Sequence, residues 1–91
     1  MKRYLIERNI PGVDKLSLEQ LKGAAATSNE ALTKLEGSVQ WVHSYVVKDQ
    51  TVCVYLADDE AAVKEHARLS GFPASKITEI QGIIDPMTAA G

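Results

Sequence analysis

The chain has 91 residues, with 12 acidic and 10 basic side chains and a formal net charge of -2. A slightly acidic chain lacks the basic face of a nucleic-acid binder, no stretch has the apolar length of a membrane span, and a single cysteine excludes an internal disulfide. What remains is one small cytoplasmic domain, with neither nucleic acid nor membrane as partner, whose limited core gives it a reason to self-associate.

Lys2 to Ile10 is rich in Tyr, Leu and Ile and stops at Pro11-Gly12, which predicts a strand followed by a turn. The charges at Glu7 and Arg8 cut the apolar run too short for a signal-peptide core. Ser17 and Gln20 fit a Ser-x-x-Gln capping box at the start of a helix. Leu18, Leu21, Ala25, Ser28, Leu32 and Leu35 then follow at spacings of three and four and form one stripe, with Gly37 as the stop. Gly23 costs such a helix about 1 kcal/mol against alanine, so it is expected to mark a close backbone approach.

Val39–Val47 and Val52–Leu56 are the next two strands, joined around Lys48-Asp49-Gln50 as a hairpin. Asp58 is the expected N-cap of a second helix, with Asp59 and Glu60 favoured by the positive end of its dipole. Ala62, Val63, His66, Ala67 and Leu69 share one side of it, and Gly71 and Pro73 end it. A last strand runs from Lys76 to Ile84. The order β-α-β-β-α-β defines an α+β, ferredoxin-like domain over residues 1–86, a four-stranded antiparallel sheet with two helices on one face. Residues 87–91 are expected to be a flexible tail.

Helices on one side leave the other sheet face to solvent or to a partner. In the second strand Val39, Trp41, Tyr45 and Val47 alternate to one side, with Val42 and Val46 on the other. Both sides are largely apolar, so a homodimer is expected to cover the free one. The hairpin register stays open. A two-residue loop places His43 with Val52, Val54 and Leu56, whereas a three-residue loop places it with Cys53 and Tyr55.

The side chains with chemistry to offer are few. His43 and His66 suit metal ligation or proton transfer, and equally suit packed, hydrogen-bonded core positions. Cys53 is a soft metal ligand or a small buried apolar group. The Asp58-Asp59-Glu60 run is explained by a helix N-terminus, and Glu7, Glu79 and Asp85 fit solvated strand-edge charges. No Ser/His/Asp set, Gly-rich phosphate loop or CxxC pair occurs.

The segments Tyr4-Leu-Ile-Glu-Arg-Asn-Ile-Pro-Gly, Val39-Gln-Trp-Val-His-Ser-Tyr, Cys53-Val-Tyr, Glu65-His-Ala-Arg-Leu-Ser-Gly-Phe-Pro-Ala and Ile77-Thr-Glu-Ile together resemble the family of small bacterial nickel-binding-protein-like proteins. The resemblance spans Arg3 to about Pro86 and implies a ferredoxin-like fold and a homodimer. It further implies nickel or another divalent transition metal, held by His43 and His66, with Cys53 as the added candidate. Gln40, Phe72 and Thr78 stand where the nickel-binding member has histidine, so the donor set is depleted. Two main function readings stand side by side: a dimeric metal-binding protein, or a cofactor-independent enzyme or carrier of the dimeric α+β barrel type. The latter would take a small apolar ligand in a pocket between sheet and helices lined by His43, Tyr45 and Tyr55. A bare interaction module is the third.

Overall fold

A computed structural model describes residues 1–90. Its elements are β1 (Lys2–Asn9), a 3-10 turn (Val13–Lys15), α1 (Leu18–Lys34), β2 (Val39–Val47), β3 (Gln50–Ala57), α2 (Glu60–Ser70), β4 (Lys76–Ile80) and a terminal 3-10 turn (Pro86–Ala90). The sheet order is β2-β3-β1-β4, antiparallel at every pairing. That is the expected α+β, ferredoxin-like arrangement. Of the anticipated tail, Met87–Ala90 join Pro86 in the second 3-10 turn, Pro86–Ala90, with the Thr88 amide donating to the Asp85 carboxylate, and Gly91 lies outside the described residues.

The capping box forms as expected. The Gln20 amide donates to Ser17 Oγ at 3.2 Å and the Ser17 amide to Gln20 Oε1 at 2.9 Å. The apolar stripe begins one turn later than its pattern suggests, because Leu18 stands exposed while Ser28 and Ala31 are buried and Leu32 and Leu35 pack on the core. Helix α2 is capped by Asp59, not Asp58: Asp59 Oδ1 accepts from the Ala62 amide at 2.8 Å. Asp58 is already committed, since its own amide donates to the Ser38 carbonyl at 3.0 Å. Strand β4 stops at Ile80, short of Ile84. Among the described residues β4 pairs with β1 alone, and the register that sets Arg3 against Ile80 leaves just Met1 and Lys2 beyond it, so Ile83 and Ile84 have no β1 residue to face.

The hairpin loop has two residues, Lys48 and Asp49, between the Val47–Gln50 pair. Asp49 takes positive φ there, and its Oδ1 accepts from the Gly12 amide at 2.8 Å, while its own amide donates to Asp14 Oδ1 at 3.0 Å. The hairpin thus fixes the 3-10 turn beside the sheet. A β-bulge between Trp41 and His43 breaks the even alternation expected for β2. Val39 and Trp41 face the helices, as do Ser44 and Val46, whereas His43, Tyr45 and Val47 face away. The core lies on the helix side, around Tyr4, Ile6, Val39, Cys53, Tyr55, Ala57 and Val63.

Gly23 is not a close approach: a Cβ built there meets nothing within 4 Å, and the residue is exposed. Gly23→Ala is therefore expected to stabilise the fold by about 0.5–1 kcal/mol through helix propensity alone. Urea denaturation of the two proteins measures this, and a loss of stability would restore the close-packing role.

Candidate functional site

Alternation along β1 sends Tyr4, Ile6 and Arg8 to the helix side. Arg8 thus enters the interior and is only 2% exposed. Its Nη1 donates to the Pro73 carbonyl at 2.8 Å, which ties β1 to the loop after α2. The guanidinium also lies over the Tyr55 ring, 5.8 Å from the centroid. Nη2 is buried without a hydrogen-bond partner, and no carboxylate of the described residues pairs with Arg8.

Beside Arg8, one residue from each neighbouring element joins a polar cluster. Ser28 Oγ on α1 lies 3.4 Å from the Tyr55 hydroxyl on β3 and 3.2 Å from His66 Nε2 on α2. His66 is fully buried and its Nδ1 has no partner. An orphaned donor is costlier to bury than an orphaned acceptor, so hydrogen bonding assigns the proton to Nε2, which donates to Ser28. Burial, seconded by the positive charge of Arg8, holds the His66 pKa below its ordinary value, with a hydrogen bond to the Ser28 backbone opposing. Burial pushes the Tyr55 phenol up, against the Ser28 hydrogen bond and the Arg8 charge. Both rings are accordingly neutral near neutral pH.

A cavity of about 320 Å³ opens next to this cluster, between the helix side of the sheet, the first half of α1 and the 3-10 turn. Arg8, Ser28, Tyr55 and Cys53 line it together with Trp41, Val13, Leu21 and Ala25, and the remaining lining is mostly apolar. It exists because α1 brings the short side chains of Ala24 and Ala25 over a sheet surface that longer residues would fill. Edge strand β2 supplies Val46, which is 46% exposed, so the cavity reaches the surface there.

The sequence candidates do not converge. His66 and Cys53 lie on the helix side, with the Cys53 thiol 3.5 Å from Thr51 Oγ1. His43 is exposed on the opposite face, opposite Val54, its ring edge-on to Tyr45 at 5.0 Å. Within one chain the three therefore cannot fit one ion, and among the described residues no group of three or more His, Cys, Asp or Glu side chains is placed to hold one. Of the residues expected to line a sheet–helix pocket, Tyr55 does so. His43 and Tyr45 do not, because the bulge and the two-residue loop turn them outward. Arg8 is the residue that the site adds. The i, i+2 spacing from Tyr4 and Ile6 signals its inward position, although arginine in a short strand ordinarily points to solvent.

Fold and site define a ferredoxin-like α+β protein with a cavity under its first helix that opens to the surface. The chain belongs to the family described as nickel responsive protein SCO4226-like, whose profile matches residues 4–80. It is similar in structure to the crystal structure of SCO4226 from Streptomyces coelicolor A3(2), with a TM-score of 0.75 and 15% sequence identity over 90% of this chain and 99% of that one. That likeness speaks for the fold. No curated protein sequence matches the chain. Among the described residues no helix is long and apolar enough to cross a membrane.

The His66 environment makes stability depend on pH. Its folded pKa is lowered from 6.5, so the unfolded chain binds the proton more readily. Stability from this group is complete above 6.5 and is lost as pH falls through 6.5 toward the folded value. Urea midpoints are expected to drop on acidification through that window, and His66→Gln is expected to flatten the slope. An identical slope in both proteins would assign the pH dependence elsewhere.

Proposed function

We propose that this chain is a small homodimeric binding protein that takes an organic ligand in the cavity between its sheet and α1. The cavity carries this reading: it is of the size at which pockets for small molecules begin, mostly apolar, with a few polar groups converging at one side. A homodimer is supported by the face opposite the helices. Leu5, Val52, Val54 and Leu56 form its middle, Tyr45 stands 57% exposed beside them, and Ile83, Ile84 and Met87 are exposed beyond β4. A sheet face this apolar is usually covered, and a second copy would bury on the order of 1,200–2,000 Å² in total. The lone thiol, buried at Cys53, fits a cytoplasmic setting.

The test of the cavity uses Trp41, the chain's single tryptophan, which lines it. Naphthalene titrated into the protein is expected to change Trp41 emission saturably, and Ala25→Phe, which fills the cavity, is expected to weaken binding about tenfold or more. Equal binding by both proteins would overturn the reading.

A second reading rests on family membership and on the exposure of His43. A divalent ion such as nickel would bind between two copies through His43 of each, on the dimer face, with His66 uninvolved. Imidazole must be neutral to ligate, so affinity is expected to fall on acidification. Calorimetry with nickel is expected to show heat that His43→Ala abolishes and His66→Ala preserves, and sedimentation is expected to show that Tyr45→Glu splits the dimer. Binding lost in His66→Ala alone, in a folded protein, would place the ion on the helix side instead.

A further inference from the structure

The interior around the cavity holds an unbalanced charge. Arg8 is a permanent cation and is almost wholly buried. The groups facing it are neutral: the Tyr55 ring and hydroxyl, Ser28, the His66 imidazole and the Pro73 carbonyl. Buried charges are ordinarily paired, because an unpaired one forfeits its hydration without return. Arg8 lines the cavity, spends Nη1 on the Pro73 carbonyl at 2.8 Å and the Phe72 carbonyl at 3.5 Å, and holds Nη2 buried with no hydrogen-bond partner. The walls beyond it, including Val13, Leu21, Ala25, Trp41 and Val46, offer surface for hydrocarbon.

We propose that the cavity binds a small apolar monocarboxylate, whose carboxylate pairs with the Arg8 guanidinium while its hydrocarbon body lies against Trp41 and α1 toward the opening at Val46. This rests on the cavity being the ligand site. One carboxylate matches one guanidinium in charge and in geometry. A phosphate monoester or a dicarboxylate would bring a second negative charge into a lining that has no second cation. An amine would meet Arg8 with like charge, and a neutral amide would leave the guanidinium uncompensated. Arg8 keeps its bond to Pro73 throughout, so the loop after α2 need not move for the ligand to dock.

Octanoate, octanamide and octylamine, titrated into the full chain at neutral pH with Trp41 emission and calorimetry as readouts, test this. Octanoate is expected to bind about tenfold or more tightly than octanamide, as a charge-assisted hydrogen bond in a buried site allows, with octylamine weakest. Arg8→Met is expected to bring octanoate and octanamide to within about twofold of each other, and Ala25→Phe to weaken both. Comparable binding of octanoate and octanamide to the wild-type protein would overturn the carboxylate class and leave the cavity as a site for neutral ligands. No response to any of the three would overturn both. These wild-type outcomes decide the matter even if Arg8→Met does not fold.

Discussion

A guanidinium buried without a counter-ion is the constraint on which the interior depends. Arg8 can stay inside only if its surroundings supply hydrogen bonds and polarisable surface, and the chain supplies both. The Pro73 carbonyl fixes one end of the fork, which also fixes the loop between α2 and β4. The Tyr55 ring stacks on Trp41 at a 6.4 Å centroid separation on one side and meets the Arg8 cation on the other. A second positive charge nearby would raise the cost further. His66 is accordingly held neutral, its Nε2 turned to Ser28. One small polar cluster therefore joins β1, β3, α1 and α2.

The bulge in β2 divides the chemistry between two surfaces. Without it, Trp41 and Tyr45 would share a face, and neither surface would have a clear character. With it, Trp41 turns inward, its indole donating to Ser44 Oγ at 2.9 Å, and becomes a wall of the cavity. His43 and Tyr45 turn outward onto the free face. An organic ligand under α1 and an ion or second copy on the free face would then occupy opposite sides of a single sheet.

Element order, the capping box and the strand–helix alternation were legible in the sequence because each has a local signal: periodicity, Ser17 with Gln20, and glycines at 37 and 71. The bulge was not, since Val42 and His43 carry no glycine or proline to announce it. The end of β4 was not legible either, since it is decided by the pairing with β1, which stops at Arg3 and Ile80, and not by the composition of residues 76–84. Two adjacent aspartates competed for one cap, and the choice fell to a backbone bond from Asp58 to Ser38 that no local rule supplies. For the site, His43, His66 and Cys53 each carried both a ligand reading and a packed, buried one in the sequence, and the separation of His43 from the other two follows from register. The cavity depends on how α1 rides over the sheet and on the small side chains of Ala24 and Ala25, so it emerges only in three dimensions.

The uncompensated Arg8 and the cavity beside it are proposed to form a site for an anionic apolar ligand. The most direct measurement is a crystal structure of the protein soaked with 8-bromooctanoate. Anomalous bromine density is expected in the cavity near Val46 and Trp41, with the carboxylate against the Arg8 guanidinium. Bromine density only on the free face beside His43 and Tyr45, with Arg8 unchanged and the cavity empty, would contradict it.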